Sequence, residues 1–147
     1  GYDLIEKLAE HHPDWSFTLV GDPNYSSPNP NVTVLGKMKP AELLDLYNSH
    51  QFYLQLSTSE GFPNALGEAM ASACVPIGSA VGAIPEIIGD SGIVLAKKEL
   101  TLLENQIFKL LNQDLAAFSQ KASLRILKLF NFEKRKKALL EALNLIN

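Results

Sequence analysis

Short apolar runs recur along this chain, and segments of helical period separate most of them. WSFTLVGD (15–22), VTVLG (32–36), FYLQLS (52–57), CVPIGS (74–79) and GIVLA (92–96) each have the length of a strand. They are apolar through their length instead of alternating, as strands covered on both faces are. Between them, DLIEKLAEHH (3–12) puts apolar residues at 4, 5, 8 and 9, a helical spacing. Pro13 ends that helix, and Pro40 suits the first position of the next, PAELLDLYNSH. PNYSSPNPN (23–31) is a loop with nothing periodic in it. AVGAIPEIIGD (80–90) is a second loop, with a helical turn over 85–88. Helices are predicted over 100–112, 114–130 and 132–146, the second capped by Asp114. Strands alternating with helices imply βαβ units: an α/β, Rossmann-like parallel sheet with flanking helices.

At 147 residues the chain fits one domain, residues 1–147, with a single core. Hydrophobic content of 46% against 20% charged residues is globular and excludes a disordered chain. No apolar run approaches the roughly 20 residues of a membrane-spanning helix. The first ten residues are amphipathic, unlike a signal peptide. The chain opens on a helical pattern without Met, as though cut from something longer. Its single cysteine, Cys74, forms no internal disulfide and fits a reducing, cytoplasmic compartment. The three histidines and this cysteine make no metal-ligand spacing. His11, His12 and His50 read as helix-end residues.

The parallel sheet directs attention to the loops at strand carboxyl ends, where open α/β sheets bind ligands. The richest is SEGFPNALGEAMASACVP (59–76), which leaves one strand and becomes a helix before the next. Pro63 is expected at the first helical position with Phe62 as the N-cap. Phe62 has no side-chain acceptor, so the amides of Asn64 and Ala65 are left open, which makes an anion site and suits phosphate. Gly61 admits a ligand close to the backbone. Glu60 stands at the mouth of this site and Glu68 in the second turn of the helix. Carboxylates accept hydrogen bonds from sugar hydroxyls. Two of them flanking an anion site fit a ligand with a diphosphate centre and a polyol at each end, such as a nucleotide-sugar. Each also has a plainer reading, Glu60 as a dipole-stabilising carboxylate and Glu68 as an exposed helix residue.

The letters around the pair resemble a known family. SEGFPNALGEAM, followed by PxGSxVGxIPE, is similar to the donor-binding motif of glycosyltransferase family 4, a retaining family with the GT-B fold; its E-x7-E pair is Glu60 and Glu68. VTVLGKMKPAELLDLYNSHQFYLQLS is similar to the run that leads into that motif. The resemblance is close over residues 1–96 and loose over the helical tail. It implies the C-terminal half of a GT-B enzyme that moves a sugar from a nucleotide-sugar to an acceptor, a sugar, a polysaccharide or a lipid-linked sugar. It implies no metal and no cofactor besides the donor substrate. It further implies that Glu60 contacts the donor sugar near the reacting carbon. Gly61, Phe62, Asn64 and Ala65 would hold the sugar and diphosphate, and Glu68 the ribose. The loop at Val34, Gly36 and Lys37 would border the base, and Gly21 the nucleotide.

Several departures stand out. An Arg and a Lys of the family fall upstream of Gly1, and the N-terminal acceptor domain is absent, so the chain alone is expected to be inactive. Ala73 stands where a glycine usually closes the helix. Ala83 replaces the second glycine of a GGxPE turn, with an altered loop facing the sugar as the expectation. Two other functions share parts of the pattern: a non-catalytic module binding nucleotide-sugar or protein, and a fragment of a GT-B epimerase.

Net charge is −3, which argues against nucleic acid as a partner. It divides unevenly, about −8 over residues 1–96 and +5 over the remainder. The basic tail, with KRKK at 134–137, reads as a solvated helix face. Its other readings are contact with the N-terminal domain of the same enzyme, or peripheral contact with the inner face of a membrane.

Overall fold

The computed structural model describes residues 1–129. The helix expected over 132–146 and the KRKK run lie outside the described residues. The order is α1 (Tyr2–His11), β1 (Phe17–Val20), β2 (Val32–Leu35), α2 (Pro40–Asn48), β3 (Phe52–Gln55), α3 (Asn64–Ala71), β4 (Val75–Ser79), α4 (Ile84–Ile88), β5 (Ile93–Leu95), α5 (Leu100–Leu111) and α6 (Leu115–Leu129). All strand pairs are parallel, as expected of βαβ units. The sheet is divided, however: β1 pairs with β2, and β3–β4–β5 form a separate set.

β4 is the buried centre of the three-stranded part. All five of its residues, VPIGS, are buried, because β3 and β5 take its edges and helices cover its faces. On one side Leu8 of α1 and Leu103, Ile107 and Leu110 of α5 pack with Val75, Ile77 and Leu95. On the other, Leu66 and Met70 of α3, Ile84, Ile87 and Ile88 of α4 and Ala122 of α6 form a second cluster. Burial of each such aliphatic side chain contributes about 1.5–3 kcal/mol. Gly78 lets α4 settle on the strand, since a Cβ there would collide with the side chains of Ile84 and Ile88.

The β1–β2 crossover is a loop without a helix, and side chains hold it in place. Asn31 donates to the carbonyls of Ala9, His12 and Trp15 at 3.0–3.1 Å. The Glu6 carboxylate accepts from Tyr25, Ser27 and Asn29 at 2.6–2.8 Å. Desolvation raises the Glu6 pKa, but these three donors outweigh it and hold the carboxyl below its ordinary range. The clamp is therefore intact above the usual carboxylate pKa and weakens as pH falls through the lowered value.

One expectation about α3 changes in detail, and the Ala73 departure takes the geometry that the family's glycine implies. Pro63, in extended geometry, is the N-cap, and Asn64 is the first helical residue. The carbonyl of Pro63 accepts from the Leu66 amide at 3.2 Å, which puts the start one residue later than the sequence predicts. At the other end, Ala73 has φ +66°, the left-handed conformation expected from the family's glycine. Ala73 N–H bonds to the Met70 carbonyl and Cys74 N–H to the Ala69 carbonyl, both at 3.0 Å, which is a Schellman closure. Ala83, by contrast, sits in ordinary right-handed geometry at φ −82° and carries no such strain.

Replacing Ala73 by Gly removes roughly 1–2 kcal/mol of left-handed strain and adds about 0.4–1 kcal/mol of unfolded-chain entropy. The Ala73→Gly variant should gain about 0.5–1 kcal/mol in a denaturant titration; a loss of stability would contradict the strain at this position.

Candidate functional site

The carboxyl ends of β1 and β3 open on one edge of the fold. Thr18 of β1 hydrogen-bonds His50, just before β3, at 3.1 Å, so the two strands enter side by side. At the carboxyl edge Gly1 lies against the backbone of Leu56, at the exit of β3.

The segment leaving β3 is pinned from two directions. The buried Ser79 hydroxyl donates to the Ser57 carbonyl at 2.6 Å, and lies 3.3 Å from the Gln55 carbonyl. Ala83 N–H donates to the Gly61 carbonyl at 3.1 Å. Gly82, at φ +52°, lies directly against the Glu60 carbonyl, where any Cβ would clash. The turn at 80–83 is thus the support on which the Glu60 loop rests.

The Glu60 side chain is half-buried and oriented. Its Oε2 accepts from the Ser57 hydroxyl at 3.2 Å and from Gln55 Nε2 at 3.3 Å. Gln55 in turn accepts from the Tyr53 hydroxyl at 3.0 Å and donates to Ser57 at 2.8 Å. Burial, followed by the charges of Tyr47, Glu68 and Glu60, raises the Tyr53 pKa strongly, so the phenol stays a neutral donor. The result is a hydrogen-bonded row, Tyr53–Gln55–Ser57–Glu60, along one face of β3 and its exit. It leaves Oε1 of Glu60 for other partners.

The first turn of α3 follows this loop. The N-cap is Pro63 and not Phe62 as expected, and it too offers no side-chain acceptor to the first turn. No acceptor for the Asn64 and Ala65 amides is found among the described residues, and α3 has no side-chain cap. Phe62 is exposed beside them. Glu68 is exposed on the second turn, near enough to Tyr47 and Tyr53 that its charge adds to burial in raising both phenol pKa values.

A cleft of about 1040 Å³ runs between β1 and β3, and Ala65 and Glu68 stand in its wall. Gly61, Phe62, Asn64 and Glu60 do not line it. Gly21, Val34, Gly36 and Lys37 belong to the β1–β2 part and do not line it either. Gly21 N–H donates to the Leu35 carbonyl at 3.0 Å, which joins the exits of β1 and β2. The structure therefore groups Glu60 to Glu68 on one side of the cleft and Gly21 to Lys37 on the other.

Gln55, Ser57 and Lys98 belong to the site without a motif letter that marks them. Lys98 follows β5 and donates to the Leu56 carbonyl at 3.2 Å, so it places a cation at the exit of β3. The available signal for Gln55 is chemical: a glutamine inside a covered apolar strand must find partners. Among the described residues, no group of three or more His, Cys, Asp or Glu is placed to hold a metal ion. None of the described helices is long and apolar enough to cross a membrane.

The family "Glycosyl transferases group 1" matches residues 2–113. The chain belongs to this family. Among solved structures it is similar to sucrose-phosphate synthase from Thermosynechococcus elongatus, at TM-score 0.81 and 22% identity, covering 100% of this chain and 43% of that one. A GtfA/B complex gives TM-score 0.76 at 19% identity, covering 97% of this chain and 32% of that one. The C-terminal domain of a glycosyl transferase group 1 family protein (LpcC) from Francisella tularensis gives TM-score 0.70 at 20% identity, over 88% and 76% of the two chains. The group 1 chain described here thus spans less than half the length of the first two, and its fold is that of the C-terminal half of a GT-B glycosyltransferase. No curated protein sequence matches significantly.

Within this group 1 fold, Gly82 offers a test of the loop support. Gly82→Ala drives a methyl into the Glu60 carbonyl at a left-handed position, and should cost about 1–3 kcal/mol of stability. Amide resonances of Glu60, Gly61 and Phe62 should move in its NMR spectrum; a spectrum changed only at Gly82 itself would contradict the contact.

Proposed function

We propose that this chain is the donor-binding domain of a retaining, hexosyltransferase-type glycosyltransferase that takes its sugar from a nucleotide-sugar. The observation that carries the reading is the grouping at the exit of β3: an oriented carboxylate, Glu60, two open helix amides, and a second carboxylate, Glu68, one turn further on. The open amides of Asn64 and Ala65 and the positive end of α3 suit the diphosphate. Glu60, held by Ser57 and Gln55, presents its remaining lone pairs to the donor sugar. Glu68 faces the ribose hydroxyls. Gly21, Val34, Gly36 and Lys37, across the cleft, border the base.

In the reaction, the bond from the anomeric carbon to the diphosphate oxygen breaks, the acceptor hydroxyl oxygen bonds to that carbon, and the hydroxyl proton passes to the leaving diphosphate. Negative charge develops on the leaving diphosphate, and fixed amides meet it without reorganisation. No metal is invoked. The acceptor, a sugar, a polysaccharide or a lipid-linked sugar, binds the N-terminal domain of the same enzyme, and the chain alone does not turn over. A cytoplasmic setting, peripheral to a membrane if KRKK contacts anionic lipid, fits the single thiol and the basic tail.

Calorimetric titration with uridine, guanosine and adenosine diphosphates and their hexose derivatives tests this reading. One nucleotide should bind, and Glu68→Ala should weaken it about tenfold or more, about 1.4 kcal/mol, with an unchanged fold. Glu60→Gln should weaken the nucleotide-sugar while sparing the nucleoside diphosphate. Equal affinity in all three proteins would contradict the assigned roles.

A further inference from the structure

A helix leaves its last four carbonyls without donors of its own. In α4 these belong to Pro85, Glu86, Ile87 and Ile88. Gly89 N–H donates to Pro85 at 2.9 Å, and Ser91 donates to Ile88 through its N–H at 3.1 Å and its hydroxyl at 2.6 Å. The other two carbonyls are served from α6. Arg125 Nη2 donates to Glu86 at 2.6 Å and Arg125 Nε to Ile87 at 2.8 Å. The guanidinium lies over Gly89, where any Cβ would collide with it.

α3 ends in the same way. Ser72 N–H donates to the Glu68 carbonyl at 3.1 Å, Cys74 N–H to Ala69 and Ala73 N–H to Met70, both at 3.0 Å. The last carbonyl, that of Ala71, accepts from the Ser123 hydroxyl of α6 at 3.2 Å. At about 100° per residue, Ser123 and Arg125 flank Ala122 on the surface of α6. Ala122 itself is wholly buried in the cluster of Leu66, Met70, Ile84, Ile87 and Ile88. One turn of α6 thus grips the carboxyl ends of two helices.

The amino ends of the same two helices frame the Glu60 loop. α3 begins at Asn64, directly after it. At the start of α4, Ala83 N–H donates to the Gly61 carbonyl at 3.1 Å and Gly82 lies against the Glu60 carbonyl. α4 has only five residues, too few to be stable as a helix without its surroundings. Ile84, Ile87 and Ile88 are fully buried, so α4 moves as one body in a close-packed cluster. A displacement at its carboxyl end is carried to Gly82 and Ala83.

We propose that α6 braces the site and that Arg125 is a positioning residue for the Glu60 carboxylate, acting through α4 and the 80–83 turn. What the Glu60 loop binds rests on the proposed function, whereas the coupling is a property of the free chain. Arginine suits the task because its planar fork serves two adjacent carbonyls at once, and its charge is favourable at a helix carboxyl end. Lysine keeps the charge and loses the fork. Asp90 is a bystander: it is exposed, bonded to Lys121 at 2.7 Å and 4.0 Å from Arg125, and exposed ion pairs contribute little.

The test uses the full chain with Arg125→Lys and Arg125→Gln, so that one variant suffices if the other fails to fold. Lys121→Gln, which breaks only the exposed pair with Asp90, is the control. In the ligand-free ¹⁵N NMR spectrum the Arg125 variants should move the amides of Glu60, Gly61 and Ala83, and the control should move none of them. In calorimetry the Arg125 variants should weaken the nucleotide-sugar about tenfold and the nucleoside diphosphate less than about twofold. In a Glu60→Gln background they should weaken it no further, because they act through that carboxylate. Shifts confined to residues 86–90 and 121–127 would overturn the brace. Equal weakening of both ligands, or an undiminished effect in the Glu60→Gln background, would overturn it too, since either marks a merely structural residue. If the unaltered chain binds no nucleotide, the proposed function fails, and the ligand-free spectrum alone decides the brace.

Discussion

β4 is the constraint on which the rest depends. Its residues are buried on both faces and paired on both edges, so they have no freedom to move without opening two clusters at once. Gln55 lies opposite Gly78 and Ser79 opposite Leu95, which fixes where the strand exits fall. From there Ser79 holds the Ser57 carbonyl, Gly78 seats α4, and the turn that follows puts Gly82 and Ala83 under Glu60 and Gly61. The position of the Glu60 carboxylate is thus inherited from a strand that presents no chemistry of its own. A site held this way is built on a packed element instead of a free loop, which preserves its geometry when ligand is absent.

The site's charge balance is unusual for a diphosphate ligand. Two carboxylates stand near two open amides, and the cation at the exit of β3, Lys98, is engaged with the Leu56 carbonyl. In the proposed function the described residues therefore offer a bound diphosphate fixed dipoles more than side-chain charge. The division into a Glu60–Glu68 side and a Gly21–Lys37 side adds a second condition. In the proposed function both sides meet one ligand only if the cleft between β1 and β3 keeps its width.

Much of this was legible in the sequence. The five strands and the helices through residue 129 follow from periodicity, and the parallel sheet follows from their alternation. The glutamate pair and the open helix start were visible because the chemistry of EGFPNALGE is local. What local chemistry decides less well is detail at boundaries. Pro63 reads naturally as a first helical residue, yet its carbonyl is the first acceptor and its ψ of 99° is extended. Ala73 illustrates the reverse case, where a residue with no left-handed preference accepts that conformation because the Schellman bonds and the turn into β4 require it. Ala83 looked like a comparable departure and proved conformationally ordinary, since the left-handed residue of that turn is Gly82. The orienting row from Tyr53 to Glu60 and the division of the sheet depend on contacts between distant segments, which no window of sequence contains.

In the proposed function the first turn of α3 and the Glu60 loop hold a nucleotide-sugar. An ¹⁵N NMR titration with the cognate nucleotide-sugar tests it most directly. The largest shifts should fall on the amides of Gly61, Asn64 and Ala65, with smaller ones at Gly21 and Gly36 across the cleft. Shifts confined to other surfaces at saturation, with those three amides unmoved, would contradict it.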